Sequence, residues 1–179
     1  MKWQYKNDID LYSIAFSKEI AGVSTGMEIT HRRNTGLPPE LGAALRSFTN
    51  VPGFVEALGL ASNIGYDKAD SDNYVGAVGN TWHVIFNGLG LLSDNGFWEG
   101  GSWIVEATFS MLEECTEYCE YLDVRVKEDR IVSHIGAVFR PTWYQVWPGT
   151  DMTLIGAVSY TIDGEKAPIS FGGDEEGGT

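Results

Sequence analysis

Residues 102–110 read Ser102-Trp103-Ile104-Val105-Glu106-Ala107-Thr108-Phe109-Ser110, and this stretch decides the class of fold. Apolar side chains occupy its odd positions from Trp103 to Phe109, while Glu106, Thr108 and Ser110 occupy even ones. Successive side chains of a β-strand point to opposite faces, so this alternation predicts a strand with one apolar and one polar face. The pattern leaves open whether the apolar face meets a protein core or lipid.

The same two-residue period recurs in other runs along the chain. Tyr12, Ile14 and Phe16 share one face of the first run, and Met27 and Ile29 share one face of the second. We expect six strands, over Asp10–Phe16, Gly22–Arg33, Tyr74–Leu92, Ser102–Ser110, Arg130–Trp147 and Asp151–Ile162. The sequence therefore predicts an all-β chain folded as an antiparallel up-and-down meander.

Short and long links alternate between these runs. The short links are Ser17–Ala21, Ser93–Gly101 and Pro148–Thr150, and the long links are Asn34–Asn73 and Met111–Asp129. Transmembrane β-barrels combine tight turns on one side with long loops on the other, and their tilted strands need roughly 9–11 residues. We therefore expect residues 10–162 to be part of a transmembrane β-barrel. A flanking segment (residues 1–9) precedes it, and a flexible acidic, glycine-rich tail (residues 163–179) follows.

The two long links differ in composition. Residues 34–73 contain two apolar stretches with prolines at their starts, Leu37–Leu45 and Pro52–Leu60, which predict short helical turns. We expect a link this apolar to fold into a lumen and control passage through it. Met111–Asp129 is acidic and is expected to be a solvated outer loop.

The composition excludes some classes of partner. The formal net charge of −13 argues against nucleic-acid binding, which needs clustered Lys and Arg. No apolar run approaches the roughly 20 residues of a transmembrane helix. Aromatic rings form girdles at membrane interfaces, and here they gather near strand ends: Trp3, Tyr5, Phe97, Trp98, Trp143, Tyr144 and Trp147.

Cys115 and Cys119 are the two cysteines of the chain and lie four residues apart in an acidic stretch. A local disulfide is the favoured interpretation in an oxidising compartment, with Cα atoms within roughly 7 Å of each other. Free thiols remain an alternative. A metal site would need two further ligands, and a redox thiol usually has an electropositive setting, so neither is expected.

We find no motif for catalysis, metal or cofactor binding, and we predict that the chain is not an enzyme. It lacks a phosphate-binding glycine loop, a His-Glu-x-x-His motif and a Gly-x-Ser-x-Gly motif. Charged and polar residues at positions opposite the apolar stripe are expected to line a lumen, where water and each other would satisfy them. These candidates are Glu28, Arg32, His83, Glu106 and Arg140.

Three stretches carry a resemblance to a known family: Phe16–Asn34, Gly79–Asn87 and Phe139–Met152. The most specific part is the block Pro141-Thr142-Trp143-Tyr144-Gln145-Val146. Together they resemble the domain-of-unknown-function family 1302, a group of exported bacterial proteins. The resemblance implies an outer-membrane β-barrel in contact with outer-membrane lipid. Such a barrel would pass apolar or aromatic small molecules and work beside an inner-membrane exporter.

The start of the chain, Met1–Lys6, lacks the apolar core of a signal peptide, and its end lacks the aromatic-ended final strand usual in outer-membrane barrels. We therefore expect a C-terminal-side fragment of a larger barrel. Two other classes of function stay open. One is a soluble secreted β-sandwich that binds sugar or peptide through exposed Trp residues, and the other is a barrel hydrolase with an active site at its outer rim.

Overall fold

Eight β-strands form one antiparallel sheet in the computed structural model, which describes residues 6–39, 76–164 and 168 and the backbone of residues 177–178. The strands are β1 (Asp10–Ile20), β2 (Val23–Gly36), β3 (Val78–Leu91), β4 (Gly100–Glu117), β5 (Ile131–Trp147), β6 (Thr150–Thr153), β7 (Gly156–Asp163) and β8 (Gly177–Gly178). Their order across the sheet is β1-β2-β3-β4-β5-β7-β8, with β6 also paired to β5. The predicted all-β meander is confirmed.

The six predicted strands are all present, but their limits differ. β1 continues to Ile20, and β4 continues to Glu117, seven residues past the predicted end at Ser110. The sixth predicted run is divided at Leu154 and Ile155 into β6 and β7, which pair with different parts of β5. In the described residues, neither β1 nor β8 has a partner on its outer side, so the sheet is open.

The predicted outer loop Met111–Asp129 is mostly ordered structure, so the prediction of a solvated loop is wrong over much of its length. Its first seven residues belong to β4, where pairing with β3 outweighs their acidic character. A 3-10 helix (Cys119–Tyr121) and a short helix α1 (Val124–Glu128) follow. The Asp123 carboxylate accepts a hydrogen bond from the backbone N–H of Arg125 and so caps α1.

The tail and the first long link also differ from expectation where the structure describes them. Gly177 pairs with Thr161 and Gly178 pairs with Tyr160, so these two residues of the predicted flexible tail belong to the sheet. The predicted link 34–73 begins inside β2, which runs to Gly36. The helical turns expected within residues 37–60 lie outside the described residues from residue 40 onward.

Two tight turns connect neighbouring strands at one edge of the sheet. Ala21 and Gly22 have φ angles of 51° and 81°, the left-handed pair that a two-residue hairpin between twisted strands requires. Between β5 and β6, Pro148 precedes Gly149, whose φ of 75° is the glycine conformation of a type II turn. These turns lie at one end of the strands, which we call the short-turn edge. Residues 37–77 and 118–130 join the strands at their other end, which we call the long-link edge.

A small apolar core lies at the long-link edge. It brings together one residue from each side of the first long link, one from β4 and two from the segment after β4: Leu37, Ala77, Leu112, Leu122 and Val126. Two backbone contacts hold these segments together, a bridge between Pro39 and Leu122 and a hydrogen bond from Asp123 to the Pro38 carbonyl. The two long links are therefore packed against each other where they leave the sheet.

A disulfide between Cys115 and Cys119 adjoins this core, with Cα atoms 5.9 Å apart, inside the expected 7 Å. Cys115 lies on β4, not in a loop, and packs against the core. The bridge therefore ties the end of β4 to the turn that follows it. No helix among the described residues is long and apolar enough to cross a membrane.

Gly90 gives a test of the packing between β3 and β4. A methyl group at this position would lie 2.4 Å from the Trp103 ring, whereas at Gly136 the nearest atom would be 3.8 Å away. We predict that Gly90→Ala lowers the free energy of unfolding by about 1–3 kcal/mol because the ring must move. Gly136→Ala, also in a strand, should be tolerated. Urea unfolding followed by tryptophan fluorescence measures both, and equal losses would contradict the close approach of Trp103.

Candidate functional site

The register of the sheet assigns every strand residue to one of two faces, because residues paired across an antiparallel ladder project to the same side. One continuous row runs Phe16, Met27, Phe86, Ala107, Ile135 and Tyr160. The neighbouring row on the opposite side runs Ala15, Glu28, Ile85, Thr108, His134 and Thr161. We call these sides the apolar face and the polar face.

The apolar face is exposed, whereas the polar face is buried near the long-link edge, which is the reverse of the arrangement in a water-soluble protein. On the apolar face, Ile14 is 62% exposed, Phe16 60% and Phe86 52%. On the polar face, Thr81 is 0% exposed and His83 8%. Polar groups are usually exposed and large apolar ones buried, and a contiguous exposed apolar patch marks a surface for contact with a protein, a ligand or a membrane.

The polar face near the long-link edge is hydrogen-bonded across strands. The Ser13 hydroxyl donates to Glu28 Oε1 at 2.8 Å, and the Thr30 hydroxyl donates to the same oxygen at 2.9 Å. The two ring nitrogens of His83 contact Ser110 Oγ at 3.0 Å and Thr81 Oγ1 at 2.9 Å. Buried polar groups need such partners, so this part of the face has a defined arrangement of side chains.

The five predicted lumen residues all lie on the polar face, but the structure brings only three of them together. Thr30 pairs with His83 and donates a hydrogen bond to Glu28. Arg32 pairs with Thr81, whose hydroxyl contacts His83 Nε2. Glu106 and Arg140 are exposed and lie farther toward the short-turn edge. Glu106 is paired with Gly136, four residues from Arg140 along β5, and in the described part of the chain no ion pair joins them. The expected pairing of charges across a lumen is therefore absent between these two.

Sequence reasoning missed several residues of the polar face. Four residues form hydrogen bonds with Glu28 or His83, yet each is an ordinary hydroxyl residue in the sequence: Ser13, Thr30, Thr81 and Ser110. The two-residue period alone assigns them to the right side of their own strands. Their proximity to Glu28 and His83 depends on the pairing between strands, which no single strand encodes. In the described residues, no group of three or more His, Cys, Asp or Glu side chains is placed to hold a metal ion.

Aromatic side chains border the apolar face at both edges of the sheet. At the long-link edge the rings of His31 and Trp82 stack with centroids 4.2 Å apart, and His31 Nε2 lies 2.8 Å from Glu113 Oε2. At the short-turn edge Trp143 Nε1 donates to the Phe97 carbonyl at 2.7 Å. Trp98 packs edge-on against Phe139 with centroids 5.3 Å apart. The predicted aromatic residues at 97, 98 and 143 therefore meet at one edge, while Trp3 and Tyr5 lie outside the described residues.

The His83 contacts allow a direct test of the polar network. We predict that Ser110→Ala lowers the free energy of unfolding by about 1–3 kcal/mol, because a buried ring nitrogen loses its partner. Ser24→Ala is the matched control, because Ser24 projects from the polar face of β2 and is exposed. It should change the free energy of unfolding by no more than about 0.5 kcal/mol. Urea titration measures the free energy of unfolding of both variants. An unchanged value for Ser110→Ala would show that this hydrogen-bond network does not stabilise the fold.

A family model described as "Protein of unknown function (DUF1302)" matches residues 1–178. Neither the curated proteins nor the solved structures contain a significant match.

Proposed function

We propose that the sheet of this chain, which belongs to the family of proteins of unknown function DUF1302, forms part of the wall of a transmembrane β-barrel in the bacterial outer membrane. The barrel conducts apolar or aromatic small molecules and works beside an inner-membrane exporter. The single observation that carries the proposal is the reversed exposure of the two faces. A sheet with an apolar outside and a polar inside suits lipid around it and water within it.

The dimensions of the apolar face support contact with a bilayer. Trp82 pairs with Met111, and Gly90, eight residues along β3, pairs with Trp103. Eight strand steps span about 26 Å along the strand, which at the usual tilt of about 35–45° is about 20 Å along the barrel axis, somewhat less than the roughly 25 Å height of the apolar band in outer-membrane barrels. Three charged residues of this face, Asp10, Arg33 and Glu113, lie beyond the Trp82 row. Lys18 pairs with Thr25 and lies one row inside that of Trp103. Trp82 and Trp103 thus stand where interfacial aromatic girdles are expected.

The polar face supports passage of solutes, including apolar ones. Glu106 and Arg140 are exposed on this face, where charge facing lipid would be costly and charge facing water is not. Nearer the short-turn edge, Leu89, Ile104 and Val138 form one row on the same face. An apolar molecule can rest against that row, which a wholly polar pore would not provide. The predicted control of passage by residues 34–73 concerns a segment mostly outside the described residues.

The alternatives have less support. A secreted β-sandwich needs two packed sheets, and the described strands form a single sheet with its apolar side open. A hydrolase with its active site at the barrel rim needs a nucleophile, a general base that contacts it, and an acidic residue that orients the base. His83 contacts Ser110, but its second ring nitrogen contacts Thr81 and not a carboxylate, so the orienting acid of such a triad is not found at this histidine.

A pair of single-tryptophan proteins tests contact with lipid. One retains only Trp103, on the apolar face; the other lacks all native tryptophans and carries Ile104→Trp, on the opposite face of the same strand. In vesicles whose acyl chains are brominated, we expect strong quenching of Trp103 and little quenching of the tryptophan at position 104. Acrylamide in the aqueous phase should quench them in the reverse order. Equal quenching, or a monodisperse protein that needs no detergent, would refute the barrel and favour the secreted binding module.

A charge reversal tests the conduit. We predict that Glu106→Lys lowers the cation-to-anion permeability ratio of the reconstituted protein severalfold, because charged side chains lining a pore set its ion preference. Glu128→Lys is the control, since Glu128 belongs to α1 and not to the sheet. Reversal potentials in asymmetric salt give the ratio. Identical ratios for the two variants would mean that Glu106 does not face a conduit.

A further inference from the structure

The disulfide between Cys115 and Cys119 closes a turn at the end of β4. Within that turn Tyr118 has a φ of 52°, a left-handed conformation that costs a residue other than glycine free energy unless its surroundings impose it. The bridge joins the two sides of the turn, with Cα atoms 5.9 Å apart. This covalent link therefore supports the conformation of Tyr118.

The residues that follow the turn hold the start of the first long link. Leu122 forms a backbone bridge with Pro39, and the Asp123 N–H donates to the Pro38 carbonyl at 3.1 Å. Leu122 is also buried in the apolar core at the long-link edge, together with Leu37. The position of residues 119–123 therefore determines whether residues 37–39 are held.

The segment 118–130 has an anchor on β4 at each of its ends. At the far end the Leu112 N–H donates to the Arg130 carbonyl at 2.8 Å, and the Arg130 guanidinium donates to the Glu113 carbonyl. At the near end the anchor is the disulfide. Breaking the bridge leaves the near end attached to β4 through the chain and the small core.

The bridge is accessible to solvent, and its effect on stability is local. Both cysteines are half-buried, and the residues around them are exposed: Glu114, Thr116, Glu117, Tyr118 and Glu120. A disulfide restricts the unfolded chain less when the loop that it closes is short, and this bridge has a sequence separation of 4. Its loss should therefore loosen the turn and leave the strand pairing of the sheet intact.

We propose that the Cys115–Cys119 disulfide is a redox-sensitive clasp, and that its reduction by a dithiol releases residues 37–39 from residues 119–123. A thiolate of the dithiol attacks one sulfur of the bridge, and the other sulfur leaves as a thiolate that takes up a proton. The second thiol of the dithiol then displaces the first cysteine. The protein gains two thiols, and the dithiol is oxidised to a disulfide. The clasp does not depend on the proposed conduit.

Hydrogen exchange of the full chain before and after treatment with dithiothreitol tests the clasp. The sequence contains two cysteines, so the reagent has a single bridge to reduce. After reduction we expect the amides of Leu37, Leu122 and Asp123 to exchange at least about tenfold faster. Amides in the centre of the sheet, at Ile85 and Ala107, should exchange at unchanged rates. Peptide mass spectrometry measures both sets.

The double variant Cys115→Ser, Cys119→Ser is the matched control, because it has no bridge to reduce. It should show the fast exchange with or without dithiothreitol. The wild-type comparison does not require this variant to fold, and iodoacetamide labelling of both thiols verifies that the bridge has opened. Unchanged exchange in the labelled protein would overturn the clasp, as would a bridge that dithiothreitol cannot reduce in the folded chain. Equal acceleration at Ile85 and Ala107 would also overturn it, since the bridge would then stabilise the whole sheet.

Discussion

Cross-strand backbone hydrogen bonding is the constraint on which the rest of this structure depends. Because paired residues share a face, the ladder between β2 and β3 alone determines that Arg32 lies beside Thr81 and that Glu28 lies beside Ile85. A shift by a single residue would carry every charge of a strand to the apolar side. Register therefore fixes both the exposure of the faces and which polar side chains lie beside His83.

Much of this fold can be predicted from the sequence, since alternation is a local property. The positions of Trp103 and Glu106, within four residues of each other, already predict that they lie on opposite faces. The pattern of tight turns and long links predicts the meander. The ends of strands are harder. Residues 111–117 look like a solvated acidic loop, but their pairing to β3 continues through two register shifts near Gly79 and Thr81. The decisive interaction there is with a strand some 30 residues earlier.

The candidate site was likewise predictable from the sequence only in part. Alternation within each strand predicts that the five candidate residues share one face of the sheet. The structure places all five on the polar face: Glu28, Arg32, His83, Glu106 and Arg140. Arg32 lies near His83, whereas Glu106 and Arg140 lie apart. This difference depends on the stagger between strands. The break at Leu154 and Ile155 is a similar case: the period continues through it, but β5 supplies different partners on its two sides. Local pattern gives the face, and tertiary pairing gives the neighbours.

The strict rotation of tight turns and long links also orders the steps by which the sheet can assemble. Strands β1 and β2 are joined by two residues, and β3 and β4 by the eight residues between Leu91 and Gly100, whereas 41 residues (37–77) separate β2 from β3. For a flexible chain, closing the longest link costs about 1.4 kcal/mol more than closing the eight-residue one. Short hairpins form in microseconds. The molecule should thus fold as preformed hairpins that zip together side by side, with the β2–β3 seam as the slow joining step.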